Sequence, residues 1–355
     1  MPKIIPHNRL TFGDAECESI VRAVRSGQWA QGPRVAELEA KLAEISGVQH
    51  AVCVGSGLAA LRLALGSLGV GAGNLVFVPA YSCVALANAA LSWNATPVPI
   101  DICDTNWNID PTACERQATA AAPQAIIAVN TFGAPAQIER IARIGAPVIE
   151  DCAHAFGTSA RSKPLGSRAQ IGVLSFYATK LIAGGEGGAI LTDSVDIADY
   201  VRSARDYGDQ PADPHRLNDK MTDLEAALVL AQLQRLPKMI ESRRAIAERY
   251  LDLLSRQQAN TFRLPANDPG RIWYRFAIEM LRVPAEKVVS DLLRFGVYAA
   301  APVTDWRGAD APSAPVSDRA YRSLVSLPIY PTLTEDEQNT VVESVLRLCE
   351  EYARA

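Results

Sequence analysis

Nothing in the chain is apolar over a length that could cross a membrane. The opening residues, MPKIIPHNRLTFGDAE, hold no apolar core of the size a secretion signal needs. Paired cysteine spacing is missing too. Cys17, Cys53, Cys83, Cys103, Cys114, Cys152 and Cys349 include no CxxC, which predicts reduced thiols in a cytoplasmic protein and neither disulfide staples nor zinc ligands. The four histidines, His7, His50, His154 and His215, are too dispersed to nominate a metal site. No block of basic residues stands out and the formal net charge is −4, so neither nucleic acid nor an anionic membrane surface is indicated as a partner. What remains is ordinary globular composition, 48% hydrophobic and 21% charged, in 355 residues. That length suggests two domains in close contact.

From about residue 50, short β-branched runs alternate with helices rich in small residues. HAVCV precedes SGLAALRLALGSL, LVFVP precedes SCVALANAALSW, and TPVPID precedes a stretch opening DPTACERQA. AIIAVN with AQIERIARIG follows, then APVIED. This order predicts a parallel sheet with crossover helices, whose active site lies at the carboxyl ends of its strands. IGVLSFYA and GGAILTD read as two further strands flanking a glycine loop. After residue 220 the pattern turns helical. Thr222 with Glu225 forms a capping box, and Pro237 opens a second long helix. A strand-like IWYRFAIEM, a helix around AEKVVSDLLRFG and a last helix from about Glu335 fit a smaller α+β domain. The predicted division is residues 1–236 for the large domain and 237–355 for the small one.

Lys180 sits in SFYATKLIAGGEGGAI with few side chains after it. Asp151 ends a strand in VIED, and Ser175 ends another just before the lysine. In VCVGSGLAALRLAL, a strand and a glycine turn lead into a helix whose first N–H groups can hold an anion. The stretch lacks a full GxGxxG and is a poor dinucleotide fingerprint. An amine, a carboxylate and a phosphate cup are what pyridoxal phosphate requires: a Schiff-base partner, a group that keeps its ring nitrogen protonated, and an anchor. The glycines after Lys180 read as room for a ring and its substrate beside the amine.

The chain resembles the DegT/StrS family of sugar aminotransferases, which are fold-type-I pyridoxal phosphate enzymes. The resemblance runs through GSGLAALRLAL, VPAYSCVALANAAL, VIEDCAHAFG, SFYATKLIAGGEGGAILT, RLNDKMTDLEAALVLAQLQRL and SLPIYPTLTEDE, in that order. It implies that Lys180 is the Schiff-base lysine and proton carrier and that Asp151 holds the ring nitrogen. It also implies that Ser175, with Ser56, Gly57 and the Leu58 N–H, binds the phosphate. Asn218 would reach the phosphate of a neighbouring subunit in a homodimer with two shared sites. Where relatives carry a hydroxyl at position 58, Leu58 offers only its backbone. Cys83 replaces an aromatic ring that stacks on the cofactor, and His154 stands where glutamine is commoner, within reach of the ring hydroxyl. FGVYAAAPVTDWRG lacks a histidine-rich run near the substrate.

The implied reaction moves an amino group from glutamate to a nucleotide-linked keto-sugar, with pyridoxamine phosphate as the alternate cofactor form. A keto-cyclitol or other carrier-free ketone is the alternative acceptor. A pyridoxal phosphate-binding regulator without turnover is a third reading, against which Lys180 and Asp151 both count. Family dehydratases carry histidine in place of the lysine, so Lys180 also counts against deoxygenation.

Overall fold

In the computed structural model, which describes residues 4–208, 212–256, 261–268 and 270–354, each of the expected runs becomes a strand of one central sheet. The strands are β1 (His50–Val54), β2 (Leu75–Pro79), β3 (Thr96–Ile100), β4 (Ala125–Val129) and β5 (Val148–Asp151). A two-residue pair, β6 (Ser159–Ala160) and β7 (Lys163–Pro164), forms a separate hairpin before β8 (Ile171–Ser175) and β9 (Gly188–Thr192). The order across the sheet is β1-β9-β8-β5-β4-β2-β3. Only β9 runs against its neighbours; the pairs from β8 to β3 are parallel. Apart from the edge strand β3, these strands are buried on both faces and are near-continuous apolar text, as parallel sheets require.

Helices cover both faces: α1 (Asp14–Arg25), α2 (Pro33–Ser46), α3 (Gly57–Ser67), α4 (Ala85–Leu91), α5 (Pro111–Ala120), α6 (Ile138–Ile141), α7 (Val195–Ala204) and α8 (Asp223–Leu233). Leu61, Leu63 and Leu65 of α3 pack with Val52, Ile127, Ile149 and Ile190 in one core layer. The opposite layer joins Leu38 and Leu42 of α2 to Phe176, Leu191 and Val229. The Thr222–Glu225 capping box forms: each residue's side chain accepts the other's backbone N–H, at 2.8 and 3.2 Å. The helix expected over AQIERIARIG is shorter than that text, one α turn followed by a 3-10 turn at Ala142–Ile144.

The second core gathers on a three-stranded antiparallel sheet, β10 (Phe262–Arg263), β11 (Phe276–Met280) and β12 (Leu324–Leu327). Around it lie α9 (Leu236–Ser255), α10 (Ala285–Leu293), α11 (Pro315–Ser323) and α12 (Glu335–Arg354). Helix α9 carries Leu236 and Met239 in the first body's core and Tyr250 and Leu254 in the second's, so this helix runs from one core into the other. Ile5, grouped by sequence with the large domain, packs in the second core and pairs with Val297. The run IWYRFAIEM is strand only from Phe276, because Trp273 takes a positive φ of 59° that extended backbone does not allow. Among the described residues no helix is long and apolar enough to cross a membrane.

Strand alternation divides the adjacent acids at the end of β5. Glu150 points away from Lys180 into a fully buried network. It accepts hydrogen bonds from Arg168 Nε (3.0 Å) and Nη2 (2.5 Å), from Asn130 Nδ2 (3.0 Å) and from the Gly166 N–H (3.0 Å). Removing one partner leaves a buried charge unpaired, so Glu150→Ala should lose about 3–5 kcal/mol of stability. Urea unfolding of the cofactor-free protein checks this; a loss under 1 kcal/mol would remove the structural role given to Glu150.

Candidate active site

The parallel strands deliver their carboxyl ends to one edge of the sheet. Beyond β1 come Ser56 and Gly57, beyond β2 comes Cys83, Asp151 and His154 stand at β5, and Ser175 and Lys180 follow β8. His154, Ser175 and Lys180 line one cavity together with Cys152, Phe156 and Phe176.

Ser56 caps α3 by accepting the Ala59 N–H at 3.0 Å, so Leu58 brings its N–H to the open first turn with its side chain exposed. A Cβ on Gly57 would lie 2.8 Å from the Cβ of Ser175, so glycine is what lets the helix start touch the β8 end. One glycine after Lys180 is set by a similar close approach. A Cβ on Gly188 would meet the Ser56 carbonyl oxygen at 2.5 Å and the Gly57 nitrogen at 2.8 Å. This glycine, the first residue of β9, seats the strand against the cup, whereas at Gly185, earlier in the loop, a Cβ would meet only open space.

Asp151 is buried, and its Oδ1 accepts the Ala153 N–H at 2.8 Å. Its other oxygen takes no hydrogen bond among the described residues. Burial pushes this carboxyl above its ordinary range, against the Ala153 hydrogen bond and the positive charge of Lys180. His154 is held neutral: burial first, then the charges of Lys180 and Arg275, push its ring well below the usual value. Its Nδ1 is buried with no hydrogen-bond partner. Orphaned polar atoms of this kind ask for a ligand.

Tyr274, which the sequence reading left inside a strand, is the residue that organises the lysine. Its ring stacks on His154 with centroids 4.2 Å apart and planes 12° from parallel. Lys180 Nζ lies over the same ring, 5.2 Å from its centroid. Burial raises the Tyr274 phenol, but Lys180, Arg275, the Thr179 hydroxyl and Arg243 together outweigh it and bring the group below its usual value. Cys83 and Asn218 are exposed. Among the described residues no hydrogen bond, ion pair or ring contact joins either to Lys180 or His154. The residue after Asn218 is tied down, since Asp219 accepts the Gly55 N–H at 2.7 Å and pairs with Arg62.

These residues fit pyridoxal phosphate on chemical grounds. A buried carboxylate offers a free oxygen to a ring nitrogen, an orphaned imidazole nitrogen stands near it, and a helix start beside a serine hydroxyl offers an anion cup. Sheet order and site together define a fold-type-I pyridoxal phosphate enzyme. Residues 11–346 match the model of the DegT/DnrJ/EryC1/StrS aminotransferase family, and the chain belongs to that family. It is a pyridoxal phosphate-dependent aminotransferase, with pyridoxamine phosphate as the cofactor's other form.

Solved structures agree in fold. The aminotransferase TlmJ from Streptoalloteichus hindustanus is 27% identical, with a TM-score of 0.92 over 99% of this chain and 100% of its own. DesV from S. venezuelae is 28% identical, TM-score 0.87, covering 97% and 99%. A DegT DnrJ EryC1 StrS aminotransferase from Brucella abortus is 28% identical, TM-score 0.85, covering 94% and 95%.

Proposed function

We propose that the enzyme transfers an amino group from glutamate to a nucleotide-linked keto-sugar, in amino-sugar biosynthesis. The observation that carries the site assignment is the meeting of Lys180, His154 and Ser175 in one cavity, beside Asp151. Bound there, pyridoxal phosphate supplies a carbonyl that accepts the amino group and a ring that draws electrons from the substrate's α-carbon.

This chain's side chains do the rest. Lys180 Nζ would take the proton from the donor's α-carbon and carry it to the far side of the transferred nitrogen. Asp151 keeps the ring nitrogen's proton in place through a charge-assisted hydrogen bond. His154 Nδ1 bonds the ring hydroxyl, and Tyr274, stacked on His154, fixes the imidazole plane. Ser56, Gly57, the Leu58 N–H and Ser175 hold the phosphate. Cys83 replaces a stacking ring with a small polarizable group. Storage of the amino group between two half-reactions makes the kinetics ping-pong.

A carrier-free ketone such as a keto-cyclitol is the second reading. Arg307, the cation in the segment that differs from relatives, is already paired with Asp305 at 2.8 Å and Asp318 at 2.7 Å. It is therefore not free for a diphosphate. Converting the protein to its pyridoxamine form and screening keto-sugars against keto-cyclitols for return of the aldehyde-form absorbance tests both readings. No return with any ketone of either class would overturn both readings of the acceptor.

A second copy of the chain completes this proposal. Leu58, Tyr177 and Leu217 are exposed on or next to cup residues, as is Val84 beside Cys83, and apolar surface of this kind calls for a cover. An isologous dimer would give two equivalent sites, each with Asn218 of the other copy facing the phosphate. Asn218→Asp would set a negative charge there and weaken cofactor binding. Mixing inactive Lys180→Ala with inactive Asn218→Asp under subunit exchange should then restore activity at one site per heterodimer. If exchange is confirmed and no activity returns, Asn218 acts within its own subunit or not at all.

A further inference from the structure

Next to Lys180 the protein gathers positive charge that its own carboxylates do not match. One cavity is lined by His7, Asn8, Thr179, Tyr274, Arg275 and Ile329. A second, which reaches Lys180 itself, is bounded by Asn8, Arg9 and Arg243 among others. No aspartate or glutamate lines either one. Arg9 is compensated by Glu337 at 3.1 Å. Arg243 is fully buried and spends one nitrogen on three backbone carbonyls, of Trp273, Tyr274 and Ile329, while its Nε has no acceptor. Arg275 forms no ion pair among the described residues. Its guanidinium rests against the ring nitrogens of His7, at 3.1 and 3.4 Å, and over Tyr274, 5.3 Å from the ring centroid.

His7 is built to accept and not to compete. Burial first, then Arg275 and Arg243, push its ring down to about 3, so it stays neutral. A guanidinium only donates, so the nitrogen facing it must be unprotonated. Ser326, itself buried, anchors the ring through a 2.9 Å contact with Nε2. A neutral imidazole thus orients Arg275 without neutralising it. Two cations without carboxylate partners, one of them fully buried, cost free energy until an anion arrives.

We propose that the cavity between His7 and Tyr274 is a carboxylate subsite, in which Arg275 receives a carboxylate of the amino-acid donor. This rests on Lys180 being the reacting amine. Arg275 and Lys180 lie 5.3 and 5.2 Å from the centroid of the same aromatic ring, that of Tyr274, so an anion held by Arg275 is separated from the reacting nitrogen by little more than that ring. An α-amino acid has such an anion, one carbon from the carbon that bears its amine. In a nucleotide-linked sugar the phosphates hang from the anomeric carbon, farther from the keto carbon than an α-carboxylate is from the carbon that bears the amine. The planar two-pronged fork of arginine matches a carboxylate in particular. Arg243 sits behind the fork and adds charge.

The test follows the donor half-reaction of the cofactor-loaded enzyme, as loss of the aldehyde-form absorbance against glutamate concentration. Arg275→Gln should raise the apparent Kd for glutamate about 10- to 100-fold, the range for a lost hydrogen bond to a charged group. Binding of UDP, a nucleoside diphosphate, should be unchanged. Arg275→Lys keeps the charge but loses the fork and should weaken glutamate several-fold; it decides the matter alone if Arg275→Gln does not fold. An unchanged glutamate Kd, or a loss of UDP affinity in its place, overturns the subsite. Borohydride mapping of the wild type separates that failure from a wrong lysine: cofactor found away from Lys180 would remove the reading beneath the proposal and the proposal with it.

Discussion

Lys180→Ala should fold, bind the cofactor through its phosphate, and turn over slower by at least about 10²–10⁴-fold, the contribution of a positioned proton carrier. The fold is expected to survive because Lys180 is half-buried and makes no salt bridge among the described residues. Its one close side-chain neighbour of note is the Tyr274 ring, which keeps its stack on His154 when the amine is gone. Phosphate binding survives because the α3 start and Ser175 are built from other segments of chain. What disappears is the amine that anchors the cofactor and moves the proton. Borohydride reduction of the wild type, followed by peptide mass mapping, should place a phosphopyridoxyl group on the peptide containing Lys180 and on no other lysine. A label elsewhere, or near-normal turnover in Lys180→Ala, would end the assignment.

How much of this was legible in the sequence depends on how local each feature is. β1, β2, β4, β5, β8 and β9 lie within the apolar runs that announced them, because a doubly covered sheet writes its strands as continuous β-branched text. Lys180, Ser175 and Asp151 could be nominated because each sits at or just beyond the end of such a strand. Tyr274, Arg275 and His7 could not. Thr179 and Tyr274 meet across 95 positions, and His7 meets Arg275 across 268. In sequence Tyr274 reads as one more apolar member of IWYRFAIEM. Only the positive φ at Trp273, which delays β11 to Phe276, takes it out of the strand. The glycines after Lys180 were legible only in part. Their bareness was visible, but the contact between Gly188 and the Ser56–Gly57 peptide lies between segments distant in the chain.

Asp151→Asn separates structure from chemistry at the other end of the site, through opposite effects on stability and rate. In the cofactor-free protein, burial holds the Asp151 carboxyl above its ordinary range. The folded state therefore binds this proton more tightly than the unfolded state does. Stability falls as pH rises from the ordinary carboxylate range through the raised value, and at neutral pH the buried charge is a net cost. Asparagine removes that cost and can still accept the Ala153 N–H that Oδ1 accepts now, at 2.8 Å. Cofactor-free Asp151→Asn should thus melt no lower than wild type at pH 7, and its stability should lose that part of its pH dependence. In the loaded enzyme the same change is costly, because a neutral amide cannot hold a proton on the ring nitrogen by charge. Losing a charge-assisted hydrogen bond of roughly 1.5–3 kcal/mol slows turnover about 10- to 150-fold. Thermal melts of the cofactor-free proteins from pH 4 to pH 8, with turnover of the loaded ones, read both effects. A variant that melts well below wild type yet keeps its rate would make Asp151 a cap on the Ala153 turn, and the ring nitrogen's partner would have to be sought elsewhere.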